Sequence, residues 1–162
     1  MMSSIVVSVA LTASLVLLQS SASSPASRAP QVACQLVTQV QIGQATGATV
    51  GAGSPIAAPT SCQWAGQGKI VTLTINQPRG GKSPVDQFTA GKTTSLPGIT
   101  TEALSGVGDD AYYVFYAGTN RAGCGLVVKI GTSVFEVRVY GFDLAQAKTV
   151  SKTIALDAVG KF

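Results

Sequence analysis

The sequence contains no histidine. This absence excludes Ser-His-Asp and Cys-His nucleophile arrangements, together with every zinc site that depends on imidazole ligands. A metal site made of thiolates alone would have to use all three cysteines of the chain. We therefore expect no histidine-based catalytic site, no metal and no cofactor.

Charged residues are also scarce. They make up 11% of the chain, and none occurs before Arg28. The eleven Lys and Arg residues are scattered without forming a run, and the net charge is +4. Nucleic-acid-binding proteins usually concentrate positive charge on one face or arm, so we expect no nucleic-acid partner.

The uncharged N-terminal segment is typical of a signal peptide. Residues 5–18 are apolar with a few Ser and Thr, and Ser20 and Ala22 supply the small residues of a cleavage site. The apolar stretch is shorter than the roughly 17–25 residues that cross a bilayer. We predict a signal peptide over residues 1–22. Because no Lys or Arg precedes the apolar stretch, the alternative is an uncleaved anchor helix.

The rest of the chain is predicted to be a tether and one domain. Residues 23–33 are rich in Ser, Ala and Pro and cannot bury much surface, which favours a flexible tether. Residues 34–162 have the length of one domain. We expect a periplasmic or extracellular protein that contacts the membrane only if its leader stays uncleaved.

The three cysteines allow three pairings, and an exported protein is expected to form a disulfide. Cys34 opens the first structured segment, and Cys62 lies at the start of a predicted strand. Cys124 lies in a hairpin strand with its side chain directed to the core. We therefore predict a Cys34–Cys62 disulfide and a buried, unreactive Cys124.

The clearest local pattern is a β-hairpin around Gly131, whose position suits a two-residue turn. A one-residue slip of this hairpin would place charged side chains in the core, so its register is well specified. The predicted pairs are Ile130 with Ser133, Val128 with Phe135, Leu126 with Val137, and Cys124 with Val139. The opposite face would hold Lys129, Glu136, Arg138 and Tyr140.

Helical and strand periodicities together predict an α+β domain. Its antiparallel sheet would have about five strands, packed by a C-terminal helix and one or two short helices. Residues 48–60 are predicted to form mainly a loop. Helices are predicted at 35–46 and 84–94, and strands at 70–75 and 111–116. The last helix is predicted to be capped by Asp143 and to bury one face, made of Leu144, Ala147, Val150, Ile154 and Ala158.

Three short motifs support a family resemblance: Cys34-Gln35-Leu36, Cys62-Gln63-Trp64, and the run from Gly106 to Tyr112. With the hairpin and the C-terminal helix, they resemble small exported bacterial proteins of unknown function, including lipoproteins of actinobacteria. The chain is also distantly similar to the extracytoplasmic sensor domain of a mycobacterial receptor kinase. The resemblance implies binding or sensing outside the cytoplasm and supplies no catalytic residues.

Asp109 and Asp110 are the first candidates for a ligand site. A hydrolase that uses two carboxylates needs a pair flanking one bond, but adjacent residues at a strand start point in different directions. We expect one of them to order the turn at Gly108 and the other to be solvated. The alternative is a carboxylate that binds a cation or a polar ligand.

Aromatic residues are the second set of candidates. Tyr112 and Tyr116 share one face of a strand, and if that face is open, they could form a stacking surface with Tyr140. Packing under a helix is the favoured alternative, since large aromatic side chains supply core area. The candidate ligand surface therefore comprises Trp64, Tyr112, Tyr116, Tyr140, Asp109 and Asp110.

The sequence favours a non-enzymatic, exported module that binds or senses a glycan, peptide or protein of the bacterial envelope. One alternative is a secreted hydrolase-type enzyme with an unrecognised Ser, Lys or carboxylate site. Another is a structural component of the envelope.

Overall fold

A single antiparallel sheet dominates the computed structural model, which describes residues 32–117 and 123–162. Within these residues the sheet has seven strands in the order β1-β2-β3-β7-β6-β5-β4. The α+β class is confirmed, but the predicted count of about five strands is too low. The strands are β1 (Ser54–Ile56), β2 (Ala58–Gly66), β3 (Lys69–Ile75), β4 (Ile99–Leu104), β5 (Asp110–Tyr116), β6 (Gly123–Ile130) and β7 (Ser133–Tyr140).

The sequence missed β1 and the beginning of β2, which fall in the segment predicted as a loop. β1 is a three-residue strand at the edge of the sheet and contains Pro55. Proline is tolerated at an edge because no further strand needs its missing N–H. β1 leaves most of its surface exposed, so it lacks the alternating apolar pattern that identifies a strand.

Three α-helices and one 3₁₀ turn accompany the sheet in the described residues. Each α-helix begins after a residue whose side chain accepts a hydrogen bond from the third backbone N–H, namely Thr38, Ser83 and Asp143. The elements are the 3₁₀ turn (Ala33–Gln35), α1 (Gln39–Thr46), α2 (Pro84–Lys92) and α3 (Leu144–Val159).

The β6–β7 hairpin lies near the centre of the sheet, and its register confirms all four predicted pairs. Gly131 has a φ of +55° in the two-residue turn, a conformation that glycine adopts without strain. This register directs alternate residues of both strands to opposite faces of the sheet.

One face packs against α3 and is filled with apolar side chains. In β7, Phe135, Val137 and Val139 are at most 1% exposed. Ile154 of α3 is fully buried in the same cluster, and the ring of Phe135 stacks on Phe162 at a centroid distance of 5.0 Å. We call this the α3 face.

The other face is only partly covered, by the nine-residue helix α2. Phe88 of α2 contacts the ring of Tyr112 edge-on at a centroid distance of 5.1 Å. These two residues form a small second core with Val114, Val127 and Val134. We call this the α2 face; part of it remains accessible to solvent beyond the helix.

The predicted Cys34–Cys62 disulfide is present and joins the 3₁₀ turn to β2. It closes a sequence separation of 28 residues, which corresponds to roughly 3–4 kcal/mol in the chain-entropy description. Cys124 is a free thiol and is fully buried, as predicted. The disulfide indicates that the protein matures in an oxidising environment.

The predicted signal peptide and most of the predicted tether lie outside the described residues. At the end of the predicted tether, Ala33 is fully buried and belongs to the core of the domain. Among the residues that the structure describes, no helix has both the length and the apolar character needed to span a membrane.

Candidate ligand-binding groove

The pairing of the central strands arranges the α2 face in three rows that run across β3, β7, β6 and β5. α2 packs over the β6 and β5 end of the first row, whereas the β3 and β7 ends of all three rows remain open. The first row is Thr74, Glu136, Val127, Tyr112, and the second is Thr72, Arg138, Gly125, Val114. The third row joins the pair Ile70 and Tyr140 to the pair Gly123 and Tyr116, where Gly123 closely approaches the Tyr140 ring.

A groove of about 520 Å³ occupies this open part. A smaller hollow of about 340 Å³ adjoins it and shares Arg138 and Tyr140 with it. The groove is lined by Ile56, Gln63, Ile70, Thr72, Thr74, Glu136, Arg138 and Tyr140. The hollow is lined in addition by Pro97, Gly98, Ile99, Tyr116 and Ala117.

Glu136, Arg138 and Tyr116 form a hydrogen-bonded group in the middle of the open face, which we call the polar cluster. Arg138 donates to Glu136 Oε1 from Nε at 3.0 Å and from Nη2 at 2.8 Å. Arg138 Nη2 also donates to the Tyr116 hydroxyl at 2.5 Å, and that hydroxyl donates to Glu136 Oε1 at 3.3 Å. The guanidinium carbon lies 4.4 Å from the centroid of the Tyr116 ring. These contacts hold both side chains of the ion pair in one arrangement.

The electrostatics of the polar cluster set its protonation state. Burial and the charge of Glu136 raise the pKa of Tyr116 well above its ordinary value. Burial alone would lower the pKa of Arg138, but the charge of Glu136 and the nearby Tyr116 outweigh it and raise the pKa. At neutral pH, Tyr116 is therefore a neutral donor and Arg138 a cation paired with a carboxylate.

Two glycines of β6 make room for these side chains. A Cβ atom at Gly125 would lie 2.6 Å from Glu136 Oε1 and 2.8 Å from Val114 Cγ1. A Cβ atom at Gly123 would lie 2.8 Å from Tyr140 Cδ1 and 2.9 Å from a backbone oxygen. Glycine in a strand interior often marks such a close approach. The Gly-Cys-Gly order of residues 123–125 was therefore a sequence signal for this site, and sequence reasoning missed it.

The structure brings two of the predicted ligand residues to this site and leaves a third nearby. Tyr140 lines the groove and the hollow, and Tyr116 lines the hollow. Tyr112 lies on the same face but is 5% exposed beneath α2. Burial, with a contribution from Glu136, raises the pKa of Tyr112 to about 12.

The other three predicted ligand residues lie elsewhere. Trp64 is on the α3 face and is 1% exposed, so close to Gly53 that a Cβ there would lie 2.6 Å from the indole nitrogen. Asp109 accepts a hydrogen bond from the backbone N–H of Gly131 at 2.6 Å and ties two turns together. Asp110 forms an ion pair with Lys92 of α2 at 2.7 Å.

Several groove residues were assigned to the correct face but given no role by the sequence. Glu136 and Arg138 were expected opposite the core, yet nothing in the local pattern connects them with Thr72, Thr74 or Gln63. Those residues reach the same surface because β3 pairs with both β2 and β7.

The side chains that line the groove mostly carry hydrogen-bonding groups. Among its described lining residues, Glu136 is the sole carboxylate, and a two-carboxylate hydrolase requires a pair. In the described ranges, no group of three or more acidic or thiol side chains is placed to hold a metal ion.

Comparison with protein-family models, with curated proteins and with solved structures finds no match to this chain.

Proposed function

We propose that this protein is a non-enzymatic binding or sensing module of the bacterial envelope, exported to the periplasm or the cell exterior, and that the groove on the α2 face receives its ligand. The main support is the polar cluster in an open groove at the centre of the sheet. The groove volume of about 520 Å³ falls within the range of roughly 300–1,000 Å³ that is usual for ligand sites. The predicted leader, the disulfide and the resemblance to exported proteins favour the location.

A sheet face that only contacts water does not require charged side chains held in one arrangement by hydrogen bonds. One face of an antiparallel sheet is commonly left to water. Here, however, Arg138 is held by hydrogen bonds and by the Tyr116 ring, and Gly125 leaves space for the carboxylate beside it. Ordering these side chains before a ligand arrives lowers the entropic cost of binding.

Titration with envelope fractions tests the proposal. Isotope-labelled purified protein would be titrated with the neutral glycan, anionic polymer and peptide fractions of an envelope extract, while backbone amide shifts are recorded. We expect one fraction to shift amides of β3 and β7 around the groove. The Thr72→Ala variant should weaken this response, whereas Thr149→Ala, on the exposed side of α3, should preserve it.

Two results would overturn parts of the proposal. If no fraction shifts the groove amides, the groove is not the ligand site. If the bound fraction is chemically converted during the titration, the hydrolase alternative replaces the binding module. Export is checked separately by the mass of protein recovered from the cell envelope, which should correspond to cleavage after Ala22.

A further inference from the structure

We infer that the ligand of the groove is an uncharged, hydroxyl-rich molecule, namely a short stretch of a neutral polysaccharide. The inference rests on the proposed function, since it specifies the ligand of the same groove. Three features of the groove support it: its charge balance, its floor and its mixture of polar and apolar side chains.

The groove has no net charge to attract an ion. Its described lining residues include one acid and one base, Glu136 and Arg138, whose charged atoms lie 2.8 Å apart. A phosphate or carboxylate would find the guanidinium already engaged and would approach the Glu136 charge. A cationic ligand would meet Arg138 in the same way. Specific ion binding normally uses a complementary potential, which this pair does not supply.

The floor of the groove disfavours an extended peptide. Peptides commonly bind to sheets by adding a strand at an edge, where backbone groups are unpaired. Six of the eight residues that line the groove belong to β3 and β7, which are paired on both sides in the sheet, and Ile56 alone comes from the edge strand β1. The backbone groups beneath most of the groove are therefore used within the sheet, and recognition there must proceed through side chains.

Those side chains match the hydrogen bonding of sugar hydroxyls. Thr72 and Thr74 carry hydroxyls, and Gln63 carries an amide, so each can donate and accept. The Thr74 hydroxyl already accepts from Ser61 Oγ at 3.1 Å and keeps its own proton to donate. Gln63, Thr72 and Arg138 are successive cross-strand neighbours, and strands are about 4.8 Å apart. Polar groups therefore recur at short intervals across the groove. A chain of hydroxyl-bearing rings can satisfy such a row.

The polar cluster adds an acceptor at the end of this row. The three hydrogen bonds described for the Glu136 carboxylate all fall on Oε1, and Oε2 takes part in none of them. Neutral hydroxyls can donate to such a carboxylate without bringing a second charge into the groove. Each bond of this kind is worth more than one between neutral partners.

Apolar contact is available beside the polar groups. Ile70 is 37% exposed, and Tyr140 lies next to it as its cross-strand neighbour. A sugar ring has C–H groups on its faces and hydroxyls around its rim. The Tyr140 ring and the Ile70 side chain can contact the C–H groups of a sugar ring, while Thr72 and Gln63 bind its hydroxyls.

Calorimetry and amide-shift titrations with defined probes test the inference. The neutral probes are the tetraoses of β-1,4-linked N-acetylglucosamine and of mannose, together with the neutral glycan fraction of the envelope. The comparison probes are a galacturonate tetraose and an uncharged pentapeptide library. We expect at least one neutral glycan to shift groove amides of β3 and β7. Neither comparison probe should do so.

Matched variants locate the binding. Gln63→Ala and Thr72→Ala should each weaken binding of the neutral glycan by roughly 2- to 10-fold, as expected for one lost hydrogen bond. Gln146→Ala and Thr149→Ala remove the same groups from exposed positions on α3 and should leave the affinity unchanged.

The other outcomes separate the two proposals. Binding of galacturonate or peptide in the groove without binding of any neutral glycan would overturn the ligand class and leave the proposed function standing. A groove that responds to none of the probes and to no envelope fraction would overturn both. Neutral-glycan binding that the Gln63 and Thr72 variants do not weaken would also overturn the inference.

Discussion

The two faces of β7 differ in burial, although their residues alternate along the same eight-residue strand. Phe135, Val137 and Val139 are almost fully buried on the α3 face. Glu136 and Arg138 alternate with these residues and point to the α2 face, where 20% of the Glu136 side chain and 33% of the Arg138 side chain are exposed. One strand therefore supplies both the centre of the core and the centre of the groove, because its side chains alternate with a period of two.

The helices determine which face is closed. α3 has sixteen residues and packs on β6 and β7, so it covers the middle of its face. α2 has nine residues and lies over the small cluster around Tyr112 and Val134. Sheet pairing gives two surfaces, and the length and position of the helices leave part of one of them uncovered.

The largest contrast should come from deleting a side chain on each face. Phe135→Ala removes a fully buried ring that stacks on Phe162 and should lower the free energy of unfolding by roughly 3–5 kcal/mol. Thr72→Ala, on the open part of the other face, should change it by no more than about 0.5 kcal/mol. Urea denaturation measures both. Similar losses for the two variants would mean that the open face is as tightly packed as the α3 face.

The disulfide is expected to stabilise the α3 side of the domain. Replacing Cys34 and Cys62 by Ala should cost about 3–4 kcal/mol in the chain-entropy description. Reduced wild-type protein should unfold at nearly the same urea concentration as the double variant, which serves as its control. Intact mass and thiol titration of the native oxidised protein should give one disulfide and one thiol. Two or more titratable thiols would refute the pairing.

Alkaline pH should weaken the α3 face through Cys124. Burial raises the pKa of this thiol from 9.0 to about 11. Because the folded-state pKa is raised, the stabilising contribution is complete below pH 9 and is lost as the pH rises towards 11. The wild-type protein should lose about 2 kcal/mol over this interval.

The Cys124→Ala variant provides the control for that pH dependence. Its unfolding free energy should decline less steeply between pH 9 and 11. Burial also raises the pKa of Tyr112 to about 12, and because the variant keeps this residue we expect its contribution to be equal in both proteins. Parallel curves for the two proteins would show that the Cys124 environment does not disfavour the thiolate.

The smallest expected effect is the difference in coupling energy between an ion pair on the α2 face and one on the α3 face. A double-mutant cycle with Glu136→Gln and Arg138→Met should give a coupling of about 1 kcal/mol, since the pair is partly shielded and makes two hydrogen bonds. A cycle on Lys148 and Glu102, next to the α3 layer, should give about 0.5 kcal/mol or less because Glu102 is 52% exposed. A larger coupling energy for Lys148 and Glu102 would contradict the prediction that the ion pair of the polar cluster is the more strongly coupled of the two.

Local patterns predicted the parts of the fold that short stretches of chain decide. The register of the β6–β7 hairpin follows from alternation and from Gly131, and the start of α3 follows from Asp143. The disulfide followed from the expected position of Cys124 in that hairpin. Each of these features depends mainly on residues close in sequence, so their physical cause is visible there.

Other features depended on where distant segments meet. Helical periodicity placed Leu144 on the buried side of α3, but it is 59% exposed because it occupies the first turn of the helix, ahead of the buried residues. The aromatic surface was predicted as one unit, yet Trp64 and Tyr116 lie on opposite faces of the sheet. A period of two assigns relative faces within a strand and gives no information about faces of strands that are far apart in sequence.

The sequence by itself determined the α+β class, the hairpin register, the cap of the last helix and the disulfide, because each follows from periodicity, local capping and turn geometry or the placement of cysteines. Only the tertiary structure decided that β3 lies beside β7 and that α2 leaves the surface around Thr72 and Arg138 uncovered. These two facts bring Thr72 next to Arg138 and leave both open to a ligand. Strand order and helix coverage arise from packing between distant segments, which no local pattern contains.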